Sequence, residues 1–226
     1  KVIQIEDLPG NGIANSTPGS PVLITPDTAR GVTFNGALLY LSDLEGKITK
    51  FNLTNMTTDD GTPSGQAIKI FDKTTMFSAG ASKLNARYMY HSMDATVGRD
   101  TNQLWLFAGT GDYERINDDT AGVDNLLLGI KDSDYPFFKK INKASNADTI
   151  KNCTDTTGNL PGSACIKSSK RGWYIKLKDY AKVTAEPTVF KGLVYYPIYE
   201  PTKSKNKCSL GNAYICAADD ECGTNT

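Results

Sequence analysis

Short apolar runs broken by turn residues dominate the chain, and none of them keeps a long 3.6-residue period. Lys47-Ile48-Thr49-Lys50-Phe51-Asn52-Leu53 alternates polar and apolar positions, as a strand with one buried face does. Before it come three strand-like runs, Pro21–Thr25, Gly31–Phe34 and Ala37–Ser42, with Asn35-Gly36 and Asp43-Leu44-Glu45-Gly46 as turns. Ala67–Phe71 follows, and together these runs make an antiparallel meander of roughly four strands. Further strands are expected at Leu104–Ala108, Asn125–Ile130, Gly172–Leu177, Glu186–Phe190, Leu193–Tyr199 and Asn212–Ala217. Helix is confined to two short candidates, Asp134–Ile141 and Asp148–Asn152.

These runs fall into about three cycles. Each opens with a strand near Val22, Met89–Val97 or Glu186–Phe190. Each goes on to a very apolar strand, Leu38–Leu41, Leu104–Phe107 or Leu193–Tyr196. A further strand follows, ending near Leu53 or at acidic turns after Ile130 and Ala217. Repeated four-stranded antiparallel units are the signature of a β-propeller. The expected fold is all-β: a partial propeller of about three four-stranded blades with long loops. Residues 1–20, broken by Pro9-Gly10, Gly12 and Pro18-Gly19, read as an extended lead-in, and residues 21–226 as the propeller segment. Closed propellers have about four to eight blades. Three cycles therefore predict an open stack, whose exposed edges must pack on another chain or on the remainder of a propeller.

Charge narrows the partners. Lys plus Arg and Asp plus Glu both number 25, so the net charge is zero, which argues against nucleic acid as a partner. No run approaches the 18 or so apolar residues of a membrane-spanning helix, and Lys1–Glu6 lacks the apolar centre of a signal peptide.

All five cysteines lie after residue 152, in polar loops or near the end of the chain, and no pair has the spacing of a zinc knuckle. Such cysteines point to disulfides and an oxidising compartment. Cys153 and Cys165 bracket a loop containing Gly158 and Pro161 and are expected to pair. Cys208 is expected to pair with Cys222, leaving Cys216 as a packed thiol; the rival pairing is Cys208 with Cys216.

No catalytic set assembles from the residues. The one histidine, His91, sits in Tyr88-Met89-Tyr90-His91-Ser92-Met93-Asp94, and its neighbours on a strand point to the opposite face. Gly109-Thr110-Gly111 lacks the third glycine and following helix of a phosphate loop, and reads as a tight turn. Asn117, Asp118, Asp119 and Asp124 offer oxygens for calcium, but Ala121 and Leu128 fail the EF-hand positions, so turn chemistry competes with a metal site. Asp219-Asp220-Glu221 is read the same way.

Four segments, in order, resemble the C-terminal β-propeller of the PilC/PilY family of type IV pilus biogenesis and tip adhesin proteins. They are Leu38–Leu53, with its apolar run, Ser42-Asp43, Gly46 and Phe51-Asn52-Leu53; Leu106–Tyr113, with Phe107-Ala108-Gly109-Thr110-Gly111; Leu128-Gly129-Ile130-Lys131-Asp132; and Gly172–Leu177 followed by Ala185-Glu186-Pro187. Where such proteins often carry an acidic calcium loop, this chain reads Ile24-Thr25-Pro26-Asp27-Thr28-Ala29-Arg30-Gly31, with one carboxylate, so the resemblance brings no calcium to that loop. It implies a bacterial surface protein, at the pilus tip or outer membrane. The implied partners are pilus subunits such as minor pilins and a host or abiotic surface ligand, and no reaction or cofactor is implied. Two other readings stay open. One is a quinoprotein-type propeller oxidoreductase, which needs a tryptophan platform that only Trp105 and Trp173 could supply. The other is a structural subunit of an envelope assembly.

Overall fold

Three antiparallel sheets form because short, β-branched and aromatic runs return on themselves at tight turns. The computed structural model describes residues 2–25, 36–53, 71–114, 123–138, 150–154, 171–202 and 210–224, and among these there are thirteen strands and no helix. The first sheet is a meander of β1 (Val22–Ile24), β2 (Leu38–Ser42), β3 (Lys47–Asn52) and β4 (Lys73–Ser78), in that order. The second runs β5 (Asp94–Val97), β6 (Leu104–Gly109), β7 (Leu126–Asp132) and β9 (Gly172–Lys176), with the two-residue β8 (Lys151–Asn152) parallel to β9 at its margin. In the third, β12 (Leu193–Glu200) lies between β13 (Asn212–Asp219) on one side and β10 (Lys182–Val183) and β11 (Thr188–Phe190) on the other.

The third sheet is therefore three rows wide. β10 and β11 share one edge of β12, opposite Ile198–Tyr199 and Leu193–Tyr195. Pro197 falls in the gap between them, where its missing N–H breaks no ladder bond. Its carbonyl accepts the Thr184 N–H at 3.0 Å.

The sheets stack face to face, with the second in the middle. Alternation along β6 turns Leu104, Leu106 and Ala108 toward the first sheet and Trp105 and Phe107 toward the third. Every residue of β6 and β7 is buried, which one covered face could not do. One core joins the first two sheets through Tyr40, Ile48, Phe77, Leu106, Leu128 and Ile130; a second joins the second and third through Phe107, Trp173, Ile175, Val194 and Tyr196. Each large apolar side chain taken out of water contributes about 1.5–3 kcal/mol. Gly129 is required here, because a Cβ would stand 2.3 Å from the Trp173 ring.

Polar bonds pin the layers together. Between the first two sheets, Lys50 meets Asp132, and the Tyr40 hydroxyl donates to the same carboxylate at 2.7 Å. Between the second and third, the Tyr196 hydroxyl donates to Leu128 O at 2.7 Å, and Val189 N–H to Asp94 at 2.7 Å. The Glu221 carboxylate accepts the Asp100 and Thr101 N–H groups at 2.7 and 2.8 Å. Among the described residues the stack does not close into a ring: no β-ladder joins one sheet to another, and Phe190 and Ile215, 60% and 73% exposed, stand on the outward side of the third.

Several sequence expectations are corrected. Gly31–Phe34 and the Ala67–Ile70 part of the Ala67–Phe71 run lie outside the described residues. Phe71 itself has φ 68°, which ends any strand there, and the fourth strand is Lys73–Ser78 instead. The opening strand of the second sheet is only Asp94–Val97, with His91 in the bend before it. Neither helix candidate is helical where described: Asp134–Phe137 forms turns and Lys151–Asn152 is β8. Among the described residues the four-strand pattern holds for the first sheet, gains β8 in the second, and is one row short in the third.

Residues 2–20 carry no strand and are bonded along their length to the β2–β3 turn. Glu45, buried in that turn, accepts the Leu8 N–H at 2.8 and 2.9 Å and the Asn11 amide at 2.6 Å. Asn15 donates to Asp43 at 3.1 Å, Leu44 N–H donates to Ser16 O at 2.9 Å, and Lys47 donates to Glu6 O.

Candidate functional site

A pocket of about 320 Å³ opens where the second core reaches the surface, between the turn after β9 and the start of β13. Its floor is Ala181, Ile198 and Cys216, its walls are Leu177, Tyr214 and Ile215, and Lys178, Asp179 and Glu200 form a charged rim. The turn beneath it depends on left-handed backbone at Asp179 and Tyr180, φ 53° and 60°. Apolar floor with sparse polar rim is the usual make-up of a site that takes an apolar group and orients it by its edges. Burial raises the Cys216 thiol to about 11, so the floor is uncharged at neutral pH.

The His91 region is a second polar–aromatic cluster. Gly19 packs on the His91–Ser92 backbone, and Ser20 N–H donates to Ser92 Oγ at 2.8 Å. This fixes the main chain and leaves the imidazole edge-on to Tyr113, with Nε2 bonded to its hydroxyl. Tyr90 stacks edge-on to Tyr113 at 5.0 Å. Burial lowers the His91 pKa from 6.5, with Glu186 pulling the other way. His91 is thus tied to a phenol rather than to a hydroxyl nucleophile or a carboxylate, an arrangement that packs a turn.

The weak calcium candidates separate. Asn117, Asp118 and Asp119 lie outside the described residues. The Asp124 carboxylate is held by Arg87 Nη2 and, at 3.4 Å, by Lys176, so cations of the chain already occupy it. Among the described residues no three His, Cys, Asp or Glu side chains gather as a metal-holding group. The Asp219-Asp220-Glu221 run is a turn: Asp219 Oδ1 accepts the Glu221 and Cys222 N–H groups, while burial and the neighbouring Asp219 and Glu221 raise the Asp220 pKa. In the Gly109-Thr110-Gly111 segment, a Cβ on Gly109 would meet Val183 at 2.3 Å; the glycine admits β10.

Cys216 is a buried thiol, and Cys222 is buried as well. The expected Cys208–Cys222 and rival Cys208–Cys216 pairings both involve Cys208, which the described residues do not include. Cys222 is turned inward, its N–H bonded to Asp219. Cys165 and Cys208 lie outside the described residues. Trp105 and Trp173 are both buried in the second core, with Nε1 bonded to Thr101 and to Asp220 O at 3.0 Å each.

Sequence reasoning missed the pocket. Its walls come from Leu177 and Tyr214–Ile215, and the one available signal was a strand, Asn212–Ile215, apolar at Ala213, Tyr214 and Ile215 regardless of face.

The architecture defines an open, propeller-like stack of antiparallel sheets. A solved structure with this fold is the C-terminal domain of PilY1 from Pseudomonas aeruginosa, which superposes with a TM-score of 0.63 over 95% of the chain at 16% sequence identity. The match covers 49% of that structure, so this chain spans about half its length. No protein-family model matches the sequence, and no curated protein matches it.

Proposed function

We propose that this chain is a cell-surface binding module of a type IV pilus-associated protein, supporting pilus assembly and surface attachment by contact rather than by a reaction. The observation that carries the reading is the fold, shared with the PilY1 C-terminal domain along nearly the whole chain. The four family-like segments lie on the β2–β3 hairpin, the end of β6, β7 and β9. On this reading the partners are minor pilins or the remainder of a propeller, and a host or abiotic surface ligand. The location is outside the cell, at the pilus tip or outer membrane. A Cys153–Cys165 bridge belongs to the same reading.

The test is attachment. Polymer beads carrying the purified chain should adhere to epithelial monolayers or abiotic surfaces more than beads carrying an unrelated β-protein, and soluble chain should compete them off. Equal adhesion of both bead types would overturn the reading.

A further inference from the structure

We propose that β13 takes an extended strand of a separate polypeptide along its open edge, antiparallel to it, with an apolar side chain of that strand seated in the pocket beside Tyr214. The inference goes beyond the pilus reading and does not depend on it.

The first support is row counting within the molecule. β3 and β7 stand third in their sheets, and each is paired antiparallel on its outer side, with β4 and β9. β13 stands third in its own sheet and pairs with β12 alone among the described residues.

The second is the direction of the backbone groups. Asp220 N–H bonds to Gly192 O at 3.0 Å, whereas Asp219 N–H turns the other way, to Thr224 O at 3.0 Å. Pro197 O, opposite Ile215, also points away from β13, toward Thr184. Antiparallel pairs alternate between bonded and non-bonded. Ala217, Ile215 and Ala213 therefore present their N–H and C=O groups to the open side. Eight residues run in unbroken register, without the bulge, proline or lysine by which exposed edges are usually blunted.

The third is the pocket, which decides what the incoming strand must carry. In strand addition the main chain supplies affinity and alternate side chains enter pockets. β9, the counterpart beside β7, lays Trp173 and Ile175 two residues apart into the same core that here ends at Ala181, Ile198 and Cys216. The fitting partner is thus an extended segment with bulky apolar residues two apart. A second copy of β13 fits less well, because its residues on that face, Tyr214 and Cys216, already line its own pocket.

A synthetic peptide of residues 171–177, the segment that fills this row in the second sheet, is a suitable probe for the intact chain. Amide hydrogen exchange should slow about tenfold at Ala213, Ile215 and Ala217 near saturation, and little at Tyr214 and Cys216, already bonded to β12. The same peptide N-methylated at alternate residues should lose the effect in one phase and keep it in the other. Ala217→Pro, which removes only an outward N–H, should weaken it while near-UV circular dichroism stays native. No slowing at millimolar peptide, or slowing without alternation, would overturn the proposal. So would a dimer in light scattering that protects these amides without peptide, since a second copy would then be the occupant.

Discussion

The Lys50 ammonium and the Asp132 carboxylate meet at 2.6 Å across the junction of the first two sheets, both almost wholly out of water. The lysine also donates to Phe137 O at 2.6 Å and lies 5.9 Å from the Tyr40 and Phe138 ring centres. Burial, and then the Asp132 charge, push the Tyr40 phenol far above its usual range, so it remains a donor to that carboxylate. A buried pair of this kind is costly to break and cheap to replace as a unit.

Lys50→Met should therefore destabilise the chain by about 3–5 kcal/mol, through the unpaired Asp132 it leaves behind. The double variant Lys50→Met/Asp132→Leu should recover most of that loss. Urea unfolding followed by tryptophan fluorescence measures both. Equal losses for the single and double variants would mean that the pair does not act as a unit.

Gly129→Ala should cost about 1–3 kcal/mol, because the added methyl group displaces the Trp173 ring. Trp173 is bonded to Asp220 O, so its emission should shift as the ring moves. An unchanged midpoint and spectrum would contradict the close packing of β7 against that ring.

Asp220 shows a pH effect of defined sign. Its folded-state pKa is raised above 3.8 by burial and then by the charges of Asp219 and Glu221. Ionisation therefore disfavours the folded state above that raised pKa, and the penalty disappears once pH falls below 3.8, where both states are protonated. Asp220→Asn should be more stable than the natural chain at pH 7, with the difference shrinking toward pH 3. Thermal melts across that range test it.

Cys216 should alkylate slowly. With its pKa raised to about 11 by burial, against an ordinary 9.0, the thiolate fraction at pH 8 is roughly a hundredfold lower than in the unfolded chain. Iodoacetamide labelling followed by mass spectrometry, with and without urea, checks this. The same non-reducing peptide map should show Cys153 joined to Cys165.

A quinone cofactor would absorb between about 330 and 450 nm. The purified chain should be featureless there.

The three cycles were legible because strand alternation and turn residues are local signals. Leu38–Ser42, Leu104–Gly109 and Leu193–Glu200 read directly as the apolar second strands of their sheets. Lys73–Ser78 was missed because Lys73, Thr74, Thr75 and Ser78 give it a polar look, while its burial comes from the neighbouring β3 and the core around Met76 and Phe77. The Lys50–Asp132 pair was invisible, since the partners are 82 positions apart and a lysine in an alternating strand reads as solvent-facing. The pocket failed for the same reason: Leu177, Ile198 and Tyr214 come together only when the second and third sheets stack.

The lead-in also fixes an order of events in folding. The β2–β3 hairpin is local and can form within about 1–10 μs. Its turn is completed only by a non-local contact, because the N–H that Glu45 accepts belongs to Leu8, 37 residues upstream. Until that loop closes, Asp43, Glu45 and Lys47 stay hydrated and the turn remains open to water. A single proteolytic cut near Pro9-Gly10 would leave every strand of the first sheet paired, and Asn11, Asn15 and Ser16 on the turn, yet untether the Leu8 N–H that completes its charged corner.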